Sequence, residues 1–353
     1  MSMNDLVANK HFQLPTQSCL SHTWRRPIFQ YLHSKHYDGQ RFYNLEPRPI
    51  ERSRTELWKW LLTRKSSTWD KNTEREVAET FARPRALPQN RPDADLDDWQ
   101  MWFVGHATVL IQIGPYNFLT DPVWAERASP MASSGPKRVI PAGLALEELP
   151  HIDAVLLSHN HYDHMDLATL DWLHVEFQMP IYTGLGNAWY LPKKYQVIEM
   201  DWWQEEFFED IKIVYTPAQH GSGRGIRDQN LALWGGFSLL HETGHCFFAG
   251  DTGYSSHFKE IKKQLGAPRI ALLPIGAYEP RELMRYMHMN PEDAFHAHQD
   301  LHAKCSLAIH YRSFQLTDEP REQPEADLYQ IIRQSSKLIN PFLCLKEGKR
   351  LIV

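Results

Sequence analysis

One stretch decides the fold and the chemistry of this chain: Ser158-His159-Asn160-His161-Tyr162-Asp163-His164-Met165-Asp166. It follows the apolar, strand-like run 154–157 and contains H-x-H-x-D-H, four side chains that commonly bind transition metals. Because side chains alternate along an extended backbone, His159 and His161 can point to one side and hold one ion. Asp163 and His164 follow the turn and can reach a second ion. A histidine-rich surface loop, or histidines that cap the next helix, is the plainer alternative, and the spacing favours the metal site.

A metal site needs ligands from more than one loop, and three later segments repeat the order of apolar strand followed by ligand. Zinc sites use His nitrogen and carboxylate oxygen, and catalytic sites leave one position for water. The segments 211–219, 246–250 and 306–309 lead into His220, Asp251 and His310. Taken singly, His220 and His310 would more often be core histidines and Asp251 a turn residue. Together with the H-x-H-x-D-H stretch, they predict one shared rim of ligands.

This pattern resembles the metallo-β-lactamase superfamily and, within it, the N-acyl-phosphatidylethanolamine-hydrolysing phospholipase D family. The narrower resemblance covers about residues 98 to 315 and is carried by Val104-Gly105-His106-Ala107-Thr108, Leu119-Thr120-Asp121-Pro122, Gly135-Pro136-Lys137-Arg138, Asp201-Trp202-Trp203, Phe248-Ala249-Gly250-Asp251-Thr252-Gly253-Tyr254 and Pro274-Ile275-Gly276-Ala277-Tyr278-Glu279-Pro280-Arg281. One departure follows His220. Where the family has an aromatic residue, this chain has Gly221-Ser222-Gly223, a difference that bears on the substrate the pocket accepts.

The resemblance implies two metal positions, with two zinc ions per chain. It assigns His159, His161 and His220 to one ion, Asp163, His164 and His310 to the other, and Asp251 to a bridge between them. A carboxylate suits a bridge, because its charge offsets the repulsion between two cations. Iron or manganese also suits histidine and carboxylate ligands. We expect Asp163, Asp251 and His288 to be the catalytic residues.

His288 lies just before a predicted helix, with Asn290 as its N-cap and Pro291 at its first position. Helix starts attract anions, and the resemblance implies that a histidine here lies beside the substrate phosphate. We therefore predict that His288 contacts the phosphate or protonates the leaving group. Asp166 is predicted to cap the helix that begins at Leu167 or to orient a ligand histidine.

The first functional hypothesis is a dinuclear zinc phosphodiesterase of phospholipase D type, acting on N-acyl-phosphatidylethanolamine-like lipids. Two zinc ions lower the pKa of a bound water, so that hydroxide forms at neutral pH without a side-chain base. The alternative is a lactonase or other carbonyl-ester hydrolase on the same two metals, and the glycines after His220 leave room for a small ring. A nuclease ranks lower because the core lacks a basic run with interleaved aromatic residues. A non-catalytic metal or ligand sensor also ranks lower, because the ligand set is complete.

The 353-residue chain has a net charge of -5, which gives no overall basic field for nucleic acid. We expect a phospholipid or other phosphodiester substrate and no nucleic-acid partner. The family resemblance also implies a homodimer. The first six residues lack the basic and apolar regions of a secretory signal. Widely spaced cysteines in apolar runs fit a reducing compartment. The expected location is therefore the cytoplasm, with room for peripheral contact with a membrane.

Residues 1–97 are predicted to form an N-terminal extension packed on or beside the core, and residues 98–353 the catalytic domain. A helix candidate at about 52–64 carries basic side chains beside Leu57, Trp58 and Trp60. It could lie on a membrane surface, but an ordinary helix packed on the core is favoured because its apolar residues form no clean stripe.

From Trp99 onward, short apolar runs broken by turns predict a series of strands. The predicted strands are 102–105, 108–113, 116–120, 154–157, 181–183, 197–200, 211–216, 231–240, 246–249, 270–275 and 305–310, and the predicted helices are 167–177, 255–265 and 291–302. Strands that alternate with helices indicate the mixed α/β class. The family resemblance implies the specific form, an αββα sandwich.

Overall fold

The computed structural model describes residues 31–46, 59, 60, 63, 69, 81, 85–131, 133–335 and 340–353. Most of the helix candidate at 52–64 therefore lies outside the described residues. Lys59, Trp60 and Thr63 are helical, and the indole of Trp60 donates a hydrogen bond of 2.6 Å to Asp318. That bond joins Trp60 to a residue 258 positions later in the chain.

Two seven-stranded sheets make up the centre of the molecule. The first has the order β14-β1-β2-β3-β4-β5-β6 and the second β13-β12-β11-β10-β9-β8-β7. The strands are β1 Trp99–Gly105, β2 Thr108–Ile113, β3 Tyr116–Thr120, β4 Ala154–Leu157, β5 Ile181–Gly184, β6 Val197–Met200, β7 Glu205–Phe208, β8 Ile211–Thr216, β9 Gly236–His241, β10 Gly244–Phe248, β11 Ile270–Pro274, β12 Ser306–Ile309, β13 Phe342–Leu343 and β14 Lys349–Ile352. Each sheet joins an antiparallel part to a parallel part.

Helices cover the outer faces of both sheets. The helices are α1 Leu167–Phe177, α2 His257–Leu265, α3 Arg281–Met284, α4 Pro291–Leu301 and α5 Gln323–Gln334; α3 is a single turn in the loop before α4 and buries none of its residues. Alternate residues of β1 show the layering, because Met101 and Phe103 join the core shared with the second sheet while Trp102 and Val104 pack in a separate cluster with Leu170 of α1. The predicted αββα sandwich is confirmed. None of the described helices is long and apolar enough to span a bilayer.

The strand prediction is wrong over 231–235, because β9 begins only at Gly236. The preceding residues form a buried loop whose backbone groups bond to other segments. The N–H of Leu233 donates to the Leu185 carbonyl at 2.7 Å, and the N–H of Gly235 donates to the Ser158 carbonyl at 3.2 Å. Apolar character reflects burial here, so it does not distinguish this loop from a strand.

Part of the N-terminal extension packs into the same core. Phe42 is 1% exposed and belongs to the cluster between the sheets. Its N–H donates to the Asn230 carbonyl at 2.9 Å, and Tyr37 and Phe42 form a short antiparallel bridge. The boundary at residue 97 stays a prediction, but residues 31–46 contact the catalytic part directly.

Candidate metal centre

The first sheet places the H-x-H-x-D-H stretch at one edge of the sandwich. β3 and β4 are parallel neighbours, so Asp121 and Ser158, which follow them, meet at the same edge. The buried carboxylate of Asp121 accepts from the N–H of Ser158 at 2.7 Å and from its hydroxyl at 2.6 Å. At the other end of the loop, Asp166 caps α1 as predicted, accepting from the N–H of Ala168 at 3.1 Å. Both ends of the loop are therefore fixed.

The second sheet adds one side chain from each of three strands. β8 and β10 are both antiparallel to β9, and β10, β11 and β12 are parallel, so β8, β10 and β12 point the same way. The residues beyond their ends, His220, Asp251 and His310, are all at least 97% buried. They face the loop from the first sheet. The structure thus brings all seven predicted ligands together.

Three imidazoles form the first ligand group. Nδ1 of His161 lies 2.8 Å from Nε2 of His159 and 3.2 Å from Nε2 of His220. Nδ1 of His220 is 2.8 Å from the Met287 carbonyl, which can only accept, so that nitrogen carries the proton and Nε2 keeps its lone pair. Burial holds the pKa of His159 and of His220 well below the usual value, so both rings are neutral, as metal binding requires.

The second ligand group mixes imidazole and carboxylate. Oδ2 of Asp163 lies 3.4 Å from Nε2 of His164 and 3.2 Å from Nε2 of His310. Burial disfavours charge on His310, but the carboxylates of Asp251 and Asp163 outweigh burial and raise its pKa to about 9. The same competition raises the pKa of His164 well above its usual value. This half of the site attracts positive charge strongly.

Asp251 lies between the two groups. Its Oδ2 is 3.2 Å from Nε2 of both His164 and His310 and 3.7 Å from Nε2 of His220. Its Oδ1 is buried and accepts no hydrogen bond within the described part of the chain. A buried carboxylate oxygen without a donor is costly unless a cation lies beside it. The donor set of imidazole nitrogen and carboxylate oxygen therefore fits a divalent metal centre.

His288 lies at the edge of this site. Its Nδ1 is 3.8 Å from Oδ2 of Asp251, and its ring centre is 5.0 Å from that of His220. The predicted helix start is confirmed, because Asn290 caps α4 and Pro291 opens it. Arg281 donates to the His288 carbonyl at 2.9 Å and pairs with Asp293, which fixes the loop before the helix. Burial lowers the pKa of His288 to about 4.

Two residues that had no predicted role also belong to the site. Nε2 of His106 lies 3.0 Å from Oδ2 of Asp163, and Oδ2 of Asp121 lies 2.6 Å from Nδ1 of His164. Both directly follow strands, β1 and β3, as His310 directly follows β12. That placement is the signal that could have identified them. Asp121 orients His164 through the ring nitrogen that faces away from the centre. His106 contacts the same Asp163 oxygen that faces His164 and His310, so it lies within this ligand group.

A cavity of about 310 Å³ opens beside His161 and His220. Polar side chains and glycines dominate its walls, which include Asn44, Gly221, Ser222, Gly223, Gln229, Asn230 and Tyr286. The departure from the family pattern after His220 therefore lies in the wall of this cavity. Asn44 is the member that comes from the N-terminal extension.

Residues 116–311, more than half of the chain, match the model of the beta-lactamase superfamily domain. The chain belongs to this superfamily. Its fold and its histidine and carboxylate clusters make it a metal-dependent hydrolase of that superfamily. The ligand atoms of His159, His161 and His220 lie within 4.8 Å of one another, and so do those of His106, Asp163, His164 and His310.

The chain is also similar to two relatives and to one solved structure. An uncharacterised protein of Mycobacterium tuberculosis is 34% identical over 307 residues, 82% of this chain and 78% of that protein. The N-acyl-phosphatidylethanolamine-hydrolysing phospholipase D 1 of Caenorhabditis elegans is 36% identical over 239 residues, 63% of this chain and 67% of that protein. The isothiocyanate hydrolase from Delia radicum gut bacteria has the same fold, with a TM-score of 0.58 at 22% identity over 71% of this chain and 98% of that one.

Proposed function

We propose that this superfamily hydrolase is a dinuclear zinc phosphodiesterase of phospholipase D type that acts on N-acyl-phosphatidylethanolamine-like lipids. One observation carries the proposal: a single carboxylate oxygen of Asp251 lies within 3.7 Å of ligand nitrogens in both groups. One group would hold the first ion through His159, His161 and His220. The other would hold the second through Asp163, His164 and His310, with Asp251 shared. The similarity to the nematode phospholipase D supports the substrate class.

A pair of zinc ions supplies a water-derived nucleophile at neutral pH and offsets the charge that develops on a phosphodiester. The protein's own groups orient the reactants. The Met287 carbonyl sets the His220 tautomer, and the carboxylate of Asp121 sets that of His164. His288 lies beside Asp251 and His220, and its neutral imidazole can donate a hydrogen bond to a phosphate oxygen held at the metal centre. A bound phosphate anion would favour protonation of His288 and transfer of that proton to the leaving oxygen.

A lipid substrate implies contact with a membrane surface, and the cavity rim has side chains suited to it. Leu45 and Ile226 are 46% and 77% exposed. They neighbour Asn44 and Gly225, which line the cavity. Arg41 donates to the Arg227 carbonyl at 3.5 Å and adds positive charge near the rim. Apolar side chains beside basic ones favour binding at an anionic lipid surface.

The second candidate is a hydrolase of lactones or other carbonyl esters. The glycines in the cavity wall favour it, because Gly221 and Gly223 stand where the family has bulk and leave room for a compact ring. The same nucleophile can attack a carbonyl carbon.

Metal analysis of the purified chain, paired with a substrate panel, separates the two candidates. The panel contains an N-acyl-phosphatidylethanolamine in mixed micelles, a soluble phosphodiester and a set of lactones. The proposal expects two zinc ions per chain and release of N-acylethanolamine, lost in Asp251→Ala. Turnover of lactones without turnover of any phosphodiester would replace it with the second candidate.

A further inference from the structure

The backbone of His220 is held by a side chain from outside the catalytic domain. Asn44 Nδ2 donates to the His220 carbonyl at 2.8 Å, and Asn44 Oδ1 accepts from the His220 N–H at 3.0 Å. The carboxamide therefore forms a closed two-bond pair with the peptide groups of one predicted ligand. The partners lie 176 residues apart in the chain.

The orientation of the Asn44 amide follows from its partners. The indole Nε1–H of Trp234 is a donor only and lies 3.1 Å from Asn44 Oδ1. Trp234 is fully buried and also donates to the Ala218 carbonyl at 3.0 Å. Two donors meet Oδ1 and one carbonyl meets Nδ2, so each polar atom of the amide has a matching partner.

Asn44 is itself anchored on both sides. On one side, Phe42 is buried in the core between the sheets. On the other, the Glu46 carbonyl accepts from Nε2 of Gln219 at 2.8 Å, and the Glu46 carboxylate accepts from the N–H and hydroxyl of Ser256 at 3.1 and 3.0 Å. Asn44 and Gln219 thus bind each other's segments reciprocally. The two hydrogen bonds from Asn44 to the His220 backbone are therefore part of a larger set of contacts between these segments.

The backbone of His220 needs these hydrogen bonds because it lies in a glycine-rich loop. It follows the end of β8 and precedes Gly221 and Gly223, residues that give the backbone wide conformational freedom. Gly223 has a φ of +147°, outside the range that side chains favour. His310, by comparison, is held by a bond from its N–H to the His106 carbonyl at 2.8 Å, within the catalytic domain.

We propose that Asn44 is a positioning residue for the metal ligand His220. The segment 31–46 then contributes to metal binding by fixing the backbone of one ligand. The inference rests on the proposed metal site but not on its substrate. Groups that hydrogen-bond to the side chains of metal ligands contribute about ten- to a hundredfold to metal affinity, and we expect a hold on the ligand's backbone to act on the same orientation. Loss of Asn44 should weaken one of the two ions and leave the other near its original affinity.

The test uses the full chain, stripped with a chelator and titrated with zinc against a chromogenic competitor, and separately with cobalt(II) to record its visible spectrum. Asn44→Ala removes both bonds. Asn44→Asp keeps the acceptor for the His220 N–H but turns a carboxylate oxygen toward the His220 carbonyl. The matched control is Asp38→Ala, which breaks the bonds that Asp38 accepts from the N–H groups of Gln40 and Arg41, in the same segment but away from His220.

We expect Asn44→Ala and Asn44→Asp to weaken the ion that His220→Ala also weakens, about tenfold or more, and to change the cobalt spectrum, with Asp38→Ala unchanged. In a His220→Ala background, Asn44→Ala should have no further effect on the remaining ion, because no imidazole is left at position 220 for Asn44 to position. If Asn44→Ala does not fold, Asn44→Asp carries the same test.

Wild-type affinity for both ions in both Asn44 variants would overturn the inference. Equal weakening of both ions, matched by Asp38→Ala, would overturn it as well, since that pattern indicates general loss of the segment. If His220→Ala itself leaves metal binding unchanged, the proposed metal site fails instead, so the two failures can be told apart.

Discussion

The two sheets build the metal centre in different ways. The first contributes four predicted ligands from one loop of nine residues, Ser158 to Asp166, fixed at both ends by Asp121 and by the start of α1. The second contributes His220, Asp251 and His310 from the ends of three strands that are not neighbours in the sheet. The first half is local and compact. The second half comes together only when the sheet forms. Each of its ligands therefore has to be held in place by its own set of contacts.

The comparison is tested most strongly at Asp251, where the two halves meet. We expect Asp251→Ala to reduce both metal content and hydrolysis by more than about a hundredfold, beyond the usual effect of losing an outer partner. The measurement is metal per chain and kcat/KM on the best substrate of the panel. Retention of two ions per chain would show that Asp251 does not join the halves.

A ligand of the first sheet should have a more limited effect. We expect His159→Ala to lose one ion and keep the other, because Asp163, His164 and His310 remain in place. Hydrolysis should fall sharply, and metal analysis should show about one ion per chain, as expected if each ligand group holds its own ion. Loss of both ions in this variant would mean that the two groups do not bind independently.

Asp121 tests how far the first half depends on its support. Asp121→Asn keeps the shape but removes the negative charge that faces His164 Nδ1 at 2.6 Å. We expect metal affinity to fall about ten- to a hundredfold, with a smaller loss of hydrolysis at saturating zinc. Titration with zinc measures the first effect, and assays with added zinc measure the second. Unchanged affinity would contradict a role for Asp121 in orienting His164.

The smallest expected effect concerns a buried histidine that packs beside the second sheet but takes no part in the metal centre. His298 is buried on α4, with Nδ1 2.8 Å from the Ser306 hydroxyl, and burial lowers its pKa to about 4. The unfolded chain binds this proton below pH 6.5 while the folded chain does not, so stability falls as pH drops from 6.5 toward 4. His298→Gln should make that slope shallower by up to ~1.4 kcal/mol per pH unit. Urea unfolding of both metal-free proteins at several pH values measures how the free energy of unfolding changes with pH. Equal slopes for wild type and His298→Gln would exclude a contribution from His298.

Much of the fold was predictable from residue patterns. The predicted bounds of β2, β3, β6, β8 and α1 match the structure. Gly114-Pro115 separates β2 from β3, and Asp166 caps the start of α1, so local punctuation marks these bounds. The segments after His310 were not predicted, and α5, β13 and β14 lie there. β14 is a four-residue strand with exposed basic residues, and it is defined by its pairing with β1 rather than by apolar alternation. The predicted homodimer stays a prediction.

The sequence by itself was enough to predict the H-x-H-x-D-H loop and to show that a candidate ligand follows each of several strands. Both are local properties, because they depend on side-chain alternation and on where a strand ends. Only the tertiary structure decided that Asp251 lies between two ligand groups, that His106 and Asp121 support them, and that Asn44 holds the backbone of His220. Those contacts join residues far apart in sequence, and they exist because the packing of two sheets brings distant strand ends and an N-terminal segment to one edge.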